Sequence, residues 1–276
     1  MVAKNFLRIF FAIILLMAFF SAQSFAATWA EVSYDREVPP GTRQNIEKAA
    51  DTVADLLTKH KIVLSDKISI LVTADAESYI QARMLYAKET RAQAAERAKY
   101  SAGVSVGDRH IIIMKGTPRL NTVPEESFRV MPHEIFHQVQ NQYGKTHIVN
   151  WLLEGTPEVF QCVAKEAAGF GTVNDCIGQA EQRIRQAASI PDVRQLANYN
   201  YQTWSSLMQR YPIYDMSVVM AARLVQDNGF ENIVFFYQLL HNGTNRDKAF
   251  ISAFRVPMAW FLSDMNDYFD RLRSNR

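Results

Sequence analysis

Met131-Pro132-His133-Glu134-Ile135-Phe136-His137-Gln138-Val139-Gln140-Asn141-Gln142-Tyr143-Gly144 is the stretch on which the reading of this chain turns. Proline suits the first turn of a helix and glycine its end, so the expected helix starts at Pro132 and stops at Gly144. On such a helix His133 and His137 stand one turn apart and project from the same face, where both imidazoles can reach one cation at ~2.0–2.1 Å. Glu134, beside them, is placed to accept a proton from an attacking water rather than to ligate the metal. Ile135 and Val139, also one turn apart, bury the opposite side and hold the helix rigid.

A short loop later, Asn150-Trp151-Leu152-Leu153-Glu154-Gly155-Thr156-Pro157-Glu158-Val159-Phe160 opens a second helix. Two histidines leave a catalytic zinc one protein ligand short, and a carboxylate from a neighbouring helix completes the set. Glu154 is the candidate. Glu158, one turn further on the same face, is expected to accept a hydrogen bond from the outer nitrogen of a ligating histidine, fixing its tautomer. Pro157 predicts a kink at that point or a helix that begins only near Thr156.

His133-Glu134-x-x-His137 followed by Trp151-Leu152-Leu153-Glu154-Gly155-x-x-Glu158 resembles the paired signature of the peptidase MA-like gluzincins, the thermolysin-like zinc metallopeptidases. The close match covers residues 130–165. The resemblance implies one Zn2+ per chain, a peptide or protein substrate, and a peptide bond as the bond hydrolysed. It also implies that the strand around residues 111–114, or its hairpin partner, is the edge along which an extended peptide lies. A later helix in the family usually supplies an oxyanion donor. Here that is Tyr214, in Tyr211-Pro212-Ile213-Tyr214-Asp215-Met216-Ser217, with Tyr211 the alternative. Neither a Gly-x-Met-Glu-Asn segment nor an Asn-Ala-x-Tyr segment occurs, so nothing supports an exopeptidase assignment or close kinship to thermolysin itself.

Outward from this centre, the amino terminus carries Lys4 and Arg8 ahead of an apolar run over residues 9–20, then Ser24 and Ala26 at the two cleavage-determining positions. That layout predicts a signal peptide over residues 1–26 and an exported protein, periplasmic or secreted, with no stable membrane anchor after cleavage. Cleavage removes two positive charges and no negative ones, which takes the formal net charge from +2 to zero. Basic and acidic residues are interspersed, which argues against nucleic acid as a partner. The two cysteines, Cys162 and Cys176, are read as a disulfide in an oxidising compartment, with free thiols the alternative. Nothing in the chain speaks to oligomeric state.

Hydrophobic period predicts a helix over residues 43–59, a strand over 67–73, one polar helical stretch over 77–100 and a hairpin over 101–115 turning at Gly107-Asp108. From residue 132 onward the pattern is helical almost throughout. The expected fold class is α+β and zincin-like, with residues 27–276 forming one domain. Within it, 27–130 make a mixed α/β lobe with a small sheet, and 131–276 bring the active-site helix and a mainly helical lobe. The rival reading is a catalytically inactive zincin-fold protein that grips a peptide or envelope protein. Against it, a binding module has no use for a general base at residue 134.

Overall fold

Ile68, Ile70 and Val72 alternate with Ser69 and Leu71, and this period-two pattern puts the three β-branched side chains on one buried face of a sheet. A computed structural model describes residues 29–144, 148–197 and 201–274; the expected signal segment, residues 1–26, lies outside them. The protein is α+β and mostly helical, with one mixed four-stranded sheet.

In chain order the first half contains β1 (Ala30–Tyr34), α1 (Pro40–Lys59), β2 (Ile68–Val72), α2 (Ala76–Tyr86), α3 (Arg91–Ala98), β3 (Gly103–Val106), β4 (Ile111–Met114) and α4 (Pro118–Thr122). The sheet order is β1-β2-β4-β3, with β1, β2 and β4 parallel and β3 antiparallel to β4. Strand β1, absent from the expected elements, pairs along its whole length with β2. Both faces of the sheet are covered. Ile68, Ile70, Val72, Ile112 and Met114 join the main core, while Ile113 and Val106 pack under Tyr79 and Ala82 of α2 and Ala98 of α3. Burial on both sides is what parallel strands require.

The helical stretch expected over 77–100 is two helices. Lys88 takes φ 58° between them, and Thr90 caps α3 by accepting from the Gln93 amide while the Gln93 side chain accepts from the Thr90 amide. Helix α1 begins at Pro40, three residues earlier than its apolar period shows, because proline itself fits the first turn.

The second half contains α5 (Glu125–Asn141), α6 (Asn150–Ala167), α7 (Val173–Gln186), α8 (Tyr201–Met208), α9 (Ile213–His241), α10 (Arg246–Phe254) and α11 (Met258–Ser274). Helix α5 starts two turns before Pro132, which sits in its interior. Pro124 is the actual punctuation, and Glu125 and Glu126 add negative charge at the helix N-terminus, where the dipole favours it. Burial of Phe128, Val130, Met131, Ile135 and Phe136 outweighs the ~3 kcal/mol that an interior proline costs. Helix α9 breaks at Gly229, whose φ of 77° and ψ of 166° are not helical.

Phe136 of α5, Phe160 of α6 and Phe230 of α9 form a triangle with ring centroids 5.2, 5.4 and 5.6 Å apart, which locks these three helices together. Helices α6 and α9 approach each other closely at Gly155. A Cβ there would lie 2.2 Å from the Ser217 carbonyl oxygen, so only glycine lets the backbone that carries Glu154 come so near. Cys162 and Cys176 are disulfide-bonded, with Cα atoms 6.1 Å apart, tying α6 to α7. No helix among the described residues is long and apolar enough to cross a membrane.

Candidate metal centre

Helix α5 lies under the β3–β4 hairpin. Gln138 donates to the Ser105 hydroxyl (2.8 Å) and to the Ile111 carbonyl (3.1 Å), and Asn141 donates to the same hydroxyl (3.1 Å). These bonds set one face of α5 beside β3 and leave His133, Glu134 and His137 lining a cleft of about 1050 Å³. Helix α6 forms another wall and contributes Leu153, Glu154 and Glu158.

The two histidine Nε2 atoms are 3.2 Å apart, and Glu154 Oε2 lies 4.0 Å from His133 Nε2 and 3.8 Å from His137 Nε2. Among the described residues these three are the group of His, Cys, Asp and Glu side chains that could hold a metal ion. Tetrahedral coordination at ~2.0–2.1 Å separates ligand atoms by about 3.3 Å, so the histidine pair is already at coordination spacing and the carboxylate needs to close by only about half an ångström.

The outer nitrogens decide the tautomers. His133 Nδ1 is 3.0 Å from Glu158 Oε1, and a carboxylate oxygen accepts, so the proton is on Nδ1. His137 Nδ1 is 2.8 Å from Gln140 Oε1. The Gln140 amide nitrogen donates to the Leu153 carbonyl (2.9 Å), Thr156 Oγ1 (3.0 Å) and the Tyr237 hydroxyl (3.2 Å). Since that carbonyl can only accept, the amide oxygen must face His137, whose Nδ1 therefore donates. Both Nε2 lone pairs then point into the space between the rings, an arrangement that a cation or a proton stabilises.

The electrostatics agree. Burial disfavours charge on His133, but the hydrogen bond and charge of Glu158, with the charges of Glu134 and Glu154, outweigh it and lift the pKa to about 9. Glu158 is opposed by burial too, yet His133, Arg129 and Arg183 hold its carboxyl below the usual range. Glu158 also accepts from Gln161 on its other oxygen.

Pro157 has a consequence within this network. Helix α6 runs from Asn150 through Pro157 to Ala167, so Glu154 lies inside it and the start expected near Thr156 does not occur. Proline lacks the N–H that would bond the Leu153 carbonyl four residues back, and the carbonyl left over is the one that takes Gln140. The chain from Pro157 through Leu153 and Gln140 thus ends on His137. Gln140 was not among the expected site residues. Its signal was present, since Gln140 follows His137 by three positions on the same helix, but a glutamine carries no ligand chemistry of its own.

Two predictions arise here. Glu158→Gln and Gln140→Leu are each expected to weaken zinc affinity roughly 10–100-fold in a chelator-competition titration, as loss of a ligand's hydrogen-bond partner does. An unchanged dissociation constant in either variant removes that residue's role. Pro157→Ala is expected to raise the thermal midpoint, recovering part of the roughly 3 kcal/mol an interior proline costs, while weakening zinc binding because the restored N–H competes with Gln140 for the Leu153 carbonyl. Stability and affinity rising together would refute the competition.

Glu134 is buried, 8% exposed, and abuts β3. A Cβ on Gly103 would lie 2.9 Å from both its Cγ and its Oε1, so glycine there leaves room for the carboxylate. Tyr214, at the head of α9, is 39% exposed, lines the same cleft and packs edge-on to Trp204. Tyr211 is not among the residues lining it. Cys162 lies one turn beyond Glu158 on α6, away from the cleft lining.

No known protein family matches this chain, and neither any curated protein nor any solved structure is detectably similar to it.

Proposed function

We infer that the protein is an exported zinc metallopeptidase of gluzincin type with a zincin-like lobe arrangement, in which His133, His137 and Glu154 hold one zinc ion. The observation that carries this reading is the pair of Nε2 atoms 3.2 Å apart beside a third donor, with both outer nitrogens committed to acceptors. Zinc, when bound, supplies Lewis acidity toward the scissile carbonyl and lowers the pKa of water. Glu134 accepts a proton from the attacking water and returns it to the leaving amine nitrogen. Tyr214 donates its phenolic O–H to the oxygen on which negative charge develops.

The substrate's main chain has a place to lie. Among the described residues strand β3 is at the end of the sheet and pairs with β4 alone, and it presents Gly103, Val104 and Ser105 to the cleft. An extended peptide can add there by main-chain hydrogen bonds, so the hairpin partner rather than β4 is the edge.

The test is to incubate zinc-loaded mature protein with a mixture of peptides of known sequence and to read the products by mass spectrometry. Cleavage that chelator abolishes and zinc restores is the expected result. Zinc held at one per chain with no peptide cut would leave a binding protein in its place.

A further inference from the structure

Three arginines line the cleft: Arg83, whose side chain is only 3% exposed, and Arg129 and Arg97, which are open to it and have carboxylates behind its walls. Arg129, one turn before His133 on α5, is held by Glu126 through Nε (3.0 Å) and Nη2 (2.5 Å), and the Glu126 side chain is 5% exposed. Arg97, on α3, is paired to Glu89, whose side chain is 7% exposed. Neither Glu126 nor Glu89 lines the cleft, whereas both arginines do, with side chains 42% and 56% exposed. The guanidinium groups are thus fixed from behind and open in front.

Each buried carboxylate also serves a second arginine. Glu126 accepts from Arg119 Nε (2.9 Å), and Glu89 accepts from Arg83 Nε and Nη2 (both 2.7 Å). Four arginines on two carboxylates leave one positive charge in excess in each group, and Arg129 also feels the charges of Glu158 and Glu134 at the centre. Glu96, the remaining acid of the lining outside the metal centre, is paired with Lys99 at 2.6 Å. Around the centre, Glu134, Glu154 and Glu158 exceed a divalent ion by one negative charge. The loaded cleft therefore keeps one net positive charge among these groups, and a low-dielectric wall makes such a charge count for more than it would in water.

We propose that Arg129 and Arg97 form a carboxylate-binding element of this cleft, so that its peptides carry an acidic group, either a side chain or the C-terminus, close to the bond presented to the metal centre. An arginine whose planar guanidinium is held in place by one carboxylate keeps further N–H donors for a second partner. The inference rests on the peptidase reading for the identity of the substrate, but on the arginine geometry alone for its charge.

Binding of fluorescently labelled peptides by the zinc-loaded Glu134→Gln protein tests it without turnover. Three peptides of one sequence are compared: neutral and amidated, neutral with a free C-terminus, and amidated with one glutamate. At least one acidic form is expected to bind roughly tenfold tighter than the neutral amide, as a charged hydrogen bond of this kind contributes, and which form does so identifies the carboxylate. Arg129→Gln is expected to remove most of that preference and Arg97→Gln part of it. Should Arg129→Gln fail to fold, Arg129→Lys keeps the charge, loses the fork geometry, and is expected to reduce the preference severalfold. Equal binding of all three peptides overturns the proposal and leaves the peptidase reading standing. Absence of binding by any peptide to zinc-loaded protein overturns both.

Discussion

His137→Ala is expected to purify almost free of zinc after dialysis against trace chelator, while the parent retains about one zinc per chain by elemental analysis. The substitution removes one of three convergent donors, and two donors do not hold a catalytic ion against competition. It also strands Gln140 Oε1, whose partner in the structure is His137 Nδ1. The loss should exceed the roughly 10–100-fold expected for Glu158→Gln or Gln140→Leu, because a ligand is lost rather than its support. Thermal unfolding gives an independent readout. Zinc at 100 times its dissociation constant should stabilise the parent by about 2.7 kcal/mol and leave the variant unmoved. A variant that keeps a full zinc equivalent would show that the ion sits elsewhere.

Glu134→Gln is expected to lower kcat by roughly 10²–10⁴-fold with zinc still at one per chain and KM little changed. The glutamine is isosteric, so the fit against Gly103 persists and the fold should not be disturbed. What disappears is the basic oxygen. Glu134 is not one of the three convergent donors, so occupancy should not depend on it. The separation of effects is the informative part: loss of zinc from this variant would make Glu134 a ligand, and retained turnover would end its assignment as the base.

Legibility in the sequence differs from residue to residue. Spacing along one helix is a local property, so His133 and His137 on one face, Glu134 beside them and Glu154 with Glu158 one turn apart were all legible from the order of residues. The hairpin was legible too, since alternation and a Gly107-Asp108 turn are both local. Helix ends were less so. Pro132 reads as a start, yet burial of Phe128, Val130 and Met131 carries the helix back to Glu125, and that burial depends on partners far along the chain.

The sequence by itself determined which chemistry the chain carries: two imidazoles and their neighbouring carboxylates at helical spacing, apolar stripes that bury the opposite faces, and a pair of cysteines. Only the tertiary structure decided that β1 lies beside β2, that Gly155 admits the Ser217 carbonyl, that Pro157 leaves the Leu153 carbonyl to Gln140, and that two buried glutamates behind the cleft each hold two arginines. The reason is the range of the interactions. Helical period and turn chemistry act over a few residues and leave their mark in order alone. A hydrogen bond from Gln140 to Tyr237, or a carboxylate shared between Arg119 and Arg129, is chosen among many polar residues of the same kind by the packing of elements that no local pattern specifies.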